Sequence, residues 1–199
     1  LVGSEMCIRD RLDSLVDYPS IKYYVALQES IAMSAASFYA QAKGSASVVN
    51  LHVAPGLGNA IGMMFGALKA NSPVLVTAGQ QDTRMRLREP LLSYDLVEMA
   101  KPVVKCSVEP RTADEMGPIL SKAFKIAMTP PRGPVFISLP VDVMSAETAV
   151  LVSTNRGQLV PPSADLDQIQ ELTERLSRAS APAIIAGDDV TVYDGFDSL

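Results

Sequence analysis

Glu29 and His52 are the side chains in this sequence best placed to move protons. His52 is the only histidine among 199 residues, and imidazole is the one side chain whose ordinary titration falls near neutrality. Proton chemistry near pH 7 must therefore use His52, a perturbed carboxylate, or a group the chain borrows. Glu29 follows an apolar run of strand length, Ile21 to Leu27, and opens a helix-like segment. His52 follows a second such run, Ser47 to Leu51, and stands 23 positions after Glu29. That spacing suits equivalent ends of adjacent strands in one βαβ unit, and ligands of parallel sheets bind beyond the carboxyl ends of the strands. An acid and an imidazole on one rim could relay a proton. Spacing alone leaves simpler readings open, since an acid also suits the positive end of a helix dipole and a strand-end histidine also serves packing.

Gly56-Leu-Gly-Asn-Ala-Ile-Gly62 comes next. Small residues between a strand and a helix let backbone approach a ligand and let a helix pack on a sheet. The spacing fits a dinucleotide fingerprint poorly, and the following strand end carries Gly79, Gln80 and Gln81 before its first acid, Asp82. Arg84, Arg86 and Arg88 alternate through a charged loop and suit either an anion clamp or a solvated edge. Met63, Met64 and Phe65 read as core. Cys7 and Cys106 lack CxxC spacing, which points away from a zinc site or a disulfide framework.

The elements that must hold these residues alternate regularly. Strands are expected at 21–27, 47–51, 73–78, 103–107 and 135–139. Helices are expected at 28–43, 56–70, 94–100 and 113–128, with Gly44 as a stop and a Pro-Gly turn before residue 56. This order predicts an α/β fold, a mostly parallel sheet with helices on both faces. Residues 144–164 read as a linker, 165–180 as a helix opened by an acidic turn, and Ala183 to Gly187 as a strand that begins a second α/β unit. Residues 1–11 have no clear period and resemble a translated adaptor, so they are set aside from the fold. The expected layout is therefore a domain over 12–143, a linker over 144–164 and the start of another domain over 165–199.

Composition narrows the partners. Hydrophobic residues make up 48% and charged residues 20%, the balance of a globular domain with a core of useful size. A net charge of −5 without basic clusters argues against nucleic acid or an anionic membrane surface. No apolar run approaches the ~20 residues of a membrane span, and a cytoplasmic home is the default expectation.

Several stretches, in order, resemble the thiamine-diphosphate decarboxylases, most closely their benzoylformate decarboxylase branch. They are Ala26-Leu-Gln-Glu29 with Tyr39-Ala-Gln-Ala42, Val49-Asn-Leu-His52, Gly56-Leu-Gly-Asn59, Ser72 to Gln81, and Gly133 to Pro140. The resemblance spans roughly residues 21–143 and implies the family's pyrimidine-binding domain, truncated at its N-terminus, followed by the beginning of its central domain. It implies that Glu29 hydrogen-bonds the ring nitrogen N1′ of the cofactor's aminopyrimidine. His52 would exchange protons with the substrate or a later intermediate, and Gly56, Gly58 and Asn59 would shape the substrate-site rim. Thiamine diphosphate and Mg2+ are the implied cofactors, the metal being held by a diphosphate-binding domain of another subunit in a homodimer or homotetramer, with no metal ligand in this chain. The implied reaction is decarboxylation of a 2-oxo acid. Carboligation of the acetolactate synthase type, or a non-catalytic dimerisation module of the same fold, are the alternatives. Ser37-Phe38 departs from the Asp-Gly that family members commonly carry there.

Overall fold

A computed structural model of the chain describes residues 15–150, 163–193 and 195–198. The expectations for residues 1–11 and for Cys7 lie outside the described residues. Contacts divide the chain between residues 157 and 158 into two units.

In the first unit, four described strands form a parallel sheet: β1 Ser47–Leu51, β2 Val74–Gln80, β3 Cys106–Val108 and β4 Val135–Pro140, in the order β1-β2-β4-β3. The ladder runs Ser47 opposite Val74 to Leu51 opposite Ala78, and Leu75 opposite Val135 to Gln80 opposite Pro140. All four carboxyl ends therefore meet one rim. β2 and β4 are buried along their whole length, which explains why they read as unbroken apolar runs rather than alternating ones.

Helices α1 Glu29–Lys43, α2 Val53–Lys69 and α3 Leu96–Ala100 share one core with the sheet. Met33 and Ala40 of α1, and Leu57, Ala60 and Met64 of α2, meet Val49, Leu51, Val76 and Phe136 there. Helix α4 Ala113–Met128 makes the second core, placing Ala123 and Ala127 against Leu75, Val135, Ile137 and Leu139. Alternate residues of β2 and β4 serve the two cores, as strand geometry requires. The expected doubly covered parallel sheet is thus present. A short helix α5, Val141–Ser145, follows β4 directly.

Several details differ from expectation, the strand expected at 103–107 among them, which forms only over Cys106–Val108. Residues 22–26 carry no regular structure, and Tyr24, Val25 and Leu27 are exposed. β-Branched and aromatic residues confer the capacity to pair, but a strand also needs a ladder, and among the described residues β1 is the sheet edge. Second, α2 begins at Val53, so Pro55 and Gly56 lie inside the helix rather than in a preceding loop; proline is tolerated at position 55 because an N–H in the first turn has no helical acceptor. Third, the run Thr83–Arg88 is a 3-10 helix instead of an open loop. Of the Met63-Met64-Phe65 trio only Met64 is core. Met63 and Phe65 are exposed, and the Lys69 ammonium stands over the Phe65 ring.

The second unit contains α6 Leu166–Arg178, capped by the Asp165 carboxylate, and the short α7 Asp189–Val192. The strand expected at 183–187 is not formed, and Ile184 and Ile185 are exposed. No helix among the described residues is long and apolar enough to cross a membrane.

Candidate active site

The site lies where β1 passes into α2. A single residue, His52, separates strand from helix. Val53 takes φ of 35° there, a conformation costly for a β-branched residue, and its side chain is buried. This sharp turn fixes His52 at the carboxyl rim of the sheet. The His52 carbonyl accepts the Gly56 N–H at 2.7 Å as the first bond of the helix.

Glu29 arrives from the other side as the first residue of α1. The preceding Gln28 turns its side-chain oxygen onto the N–H groups of Ser30 (3.0 Å) and Ile31 (3.3 Å), so it caps the helix and leaves the Glu29 side chain free of that task. A carboxylate at this end also gains from the helix dipole. Because α1 packs along α2 in the shared core, Glu29 is brought to the first turns of α2. The Asn59 amide Nδ2 donates to Glu29 Oε2 at 3.1 Å.

Gly56 makes the meeting possible. A Cβ at that position would stand 3.0 Å from Glu29 Oε1 and 3.1 Å from His52 Cβ. Both contacts are shorter than ordinary packing, so the missing methyl leaves room for the Glu29 carboxylate to lie beside the turn that carries His52. Of the residues singled out from the sequence, Glu29, His52, Gly56 and Asn59 are therefore gathered in one place. Gly58 is turned elsewhere: its vacant Cβ position faces the Met99 methyl of α3 at 3.3 Å. Glu29 is positioned by helix packing rather than by the end of a strand. The Asn59–Glu29 bond could have been found from sequence, since Asn59 follows Gly56 by three residues and helical neighbours at that spacing share a face.

The arginines do not form a clamp. Arg84 is bonded to Asp82, whose carboxyl its guanidinium holds down at about 2. Arg86 is bonded to Glu109, which also accepts from the Ser138 hydroxyl at 2.6 Å. Asp142 accepts from the Thr83 backbone N–H at 3.0 Å and from its hydroxyl. Partial burial pushes the Asp142 carboxyl up, but these bonds together hold it below the usual range. A cavity of about 400 Å³ lined by Gln80, Arg86, Tyr94 and Glu109 opens nearby, and none of Glu29, His52 or Asn59 lines it. Glu29 and His52, both half-buried, and the exposed Asn59 instead form a ledge at the heads of α1 and α2.

The residues present fit one part of a thiamine cofactor. A carboxylate with one oxygen tied and the other over a glycine can meet a heterocyclic ring nitrogen edge-on. Among the described residues no group of three or more His, Cys, Asp or Glu is gathered as metal ligands.

Comparison with known proteins agrees with this geometry. The profile of the thiamine pyrophosphate enzyme N-terminal TPP binding domain matches residues 7–99. The chain is 37% identical over 188 residues to a benzoylformate decarboxylase of Pseudomonas aeruginosa, covering 91% of this chain and 35% of that protein. It is 30% identical over 189 residues to an acetolactate synthase large subunit of Lactococcus lactis, covering 92% of this chain and 32% of that one. A benzoylformate decarboxylase structure from Polynucleobacter necessarius superposes with a TM-score of 0.83 at 32% identity, over 98% of this chain and 36% of that one. The chain thus spans about a third of the length of the relatives it matches. With the parallel sheet, the acid at the head of α1 and these similarities in one register, the chain belongs to the thiamine pyrophosphate enzyme family and carries its N-terminal, pyrimidine-side domain.

Proposed function

We propose that this chain is the pyrimidine-binding part of a thiamine-diphosphate-dependent decarboxylase of 2-oxo acids, benzoylformate-like in its chemistry. The observation that carries the reading is the meeting of Glu29 and His52 over Gly56, with the Glu29 carboxylate already held by Asn59. Thiamine diphosphate, when bound, supplies an electron sink for the pair left behind as carbon dioxide departs. The chain's own part is to move and hold protons. Glu29 exchanges a proton with ring nitrogen N1′, which its carboxyl can both give and accept, whereas a glutamine would fix a single state. His52, one helical turn before Gly56, exchanges protons with the oxygen of the substrate's former keto group. Gly56 and Asn59 shape the floor beneath the two. Magnesium and the diphosphate would be held by a diphosphate-binding domain of another subunit, in a homodimer or homotetramer working in the cytoplasm.

Glu29→Gln in the complete protein should lower turnover of benzoylformate by about 10²–10⁴-fold, the range of a lost proton-transfer group, while overall folding measured by circular dichroism stays intact. Normal thiamine-dependent turnover in that variant would reject the reading. The similarity to an acetolactate synthase large subunit supports a second reading, carboligation of two 2-oxo acids. Product analysis decides between them: an aldehyde and carbon dioxide from benzoylformate supports decarboxylation, and a 2-hydroxy-2-alkyl-3-oxo acid from pyruvate supports carboligation.

A further inference from the structure

We infer that Asn59 is a positioning residue that assigns the two oxygens of Glu29 different tasks, Oε2 to anchor the side chain and Oε1 to exchange the proton. This rests on the functional reading above. A carboxylate only accepts hydrogen bonds, so the Asn59 side chain must present its NH2 group, and the 3.1 Å contact to Oε2 is a donation to the acid. Oε1 lies on the other side, over Gly56, beside the point from which His52 Cβ stands 3.1 Å away. The anchored oxygen and the oxygen over Gly56 are therefore distinct.

A neutral amide is the suitable anchor for an acid that must change state. A lysine or arginine at position 59 would favour the ionised form strongly, and an aspartate would repel it. An amide N–H can bond Oε2 as a carboxylate oxygen and still bond it as the carbonyl oxygen of the protonated acid. The bond then survives both states and directs the proton to Oε1. Position 59 suits this because it lies one turn along α2 from Gly56, on the face that meets the head of α1.

The first test needs no cofactor. In a 1H–15N spectrum of the chain, the Asn59 side-chain amide protons should follow pH through a single transition that disappears in Glu29→Gln. The second uses the complete protein with thiamine diphosphate and magnesium. Asn59→Ala should weaken cofactor binding about tenfold by calorimetry, the effect of one charge-assisted bond. It should also move the acid limb of the kcat profile to higher pH, because a donor to the ionised acid has been lost. Asn59→Asp should move that limb further in the same direction. An Asn59 amide indifferent to pH, or an Asn59→Ala enzyme with an unchanged pH profile, overturns the inference, even if its kcat falls. Failure of the functional reading looks different: Glu29→Gln itself would retain cofactor affinity and turnover.

Discussion

At the scale of single residues, Gly56 separates stability from function. Replacing a helical glycine by alanine ordinarily stabilises a helix by about 0.5–1 kcal/mol. Here the new methyl would meet Glu29 Oε1 at 3.0 Å and His52 Cβ at 3.1 Å. The Glu29 side chain can swing aside, whereas a Cβ next to the strained Val53 backbone cannot easily move. Gly56→Ala should therefore fold with a thermal midpoint within a few degrees of the parent, yet bind thiamine diphosphate at least about tenfold more weakly in the complete protein, a loss of roughly 1.4 kcal/mol. Calorimetry set beside a melting curve checks this, and a large drop in melting temperature with unchanged affinity would place Gly56 in packing alone. Residue type made Glu29, His52 and Gly56 legible in the sequence. The φ of Val53 was not legible, because nothing in a valine announces a backbone conformation it disfavours; only the abrupt passage from β1 to α2 imposes it.

At the scale of elements, the departure at Ser37-Phe38 has a physical account. Ser37 is buried on α1 and its hydroxyl donates to Ser72 Oγ at 2.9 Å, just before β2. The Gln41 amide also donates to Ser72 Oγ, at 2.6 Å. This small polar cluster pins α1 to the loop between α2 and β2, while Phe38 is 71% exposed and asks nothing of the core. Because α1 carries Glu29 at its head, the cluster helps to hold the acid in place from the opposite end of the helix. Ser72→Ala would leave the buried Ser37 hydroxyl with a poorer partner and should cost about 1–3 kcal/mol in urea unfolding. The double change Ser37→Ala with Ser72→Ala should cost less than the sum of the two single changes; strict additivity would mean that the hydroxyls act independently. Elements with a clear period and a sharp boundary were readable to the residue, as β1 Ser47–Leu51 and α4 Ala113–Met128 show. Segments that depend on a distant partner were not: residues 21–27 and 183–187 have the composition of strands but join no sheet ladder among the described residues.

At the scale of the whole molecule, the chain presents surfaces made to be covered. Leu166, Ile169 and Leu172 fall along one side of α6 and are exposed, although an amphipathic stripe of this kind normally faces a core. On the first unit, Val48, in register with Leu75 and so on the same sheet face as α4, lies 58% exposed on β1, and Ile31 and Phe38 stand out from α1. The Glu29 ledge carries, among the described residues, no clustered acids for a divalent cation. A diphosphate carries most of a thiamine cofactor's charge, and one hydrogen bond at the pyrimidine end supplies only a small part of the affinity. Thiamine diphosphate and magnesium titrated into this chain alone should therefore give no measurable heat of binding at micromolar concentrations. The same titration in a mixture with a diphosphate-binding domain from a close relative should show saturable uptake, one cofactor per pair, abolished by Glu29→Ala. Uptake by the chain alone would mean that the ledge already holds the cofactor's charged end. No uptake by the mixture, with both partners shown to be folded and associated, would mean that Glu29 and His52 no longer serve the chemistry their meeting over Gly56 allows.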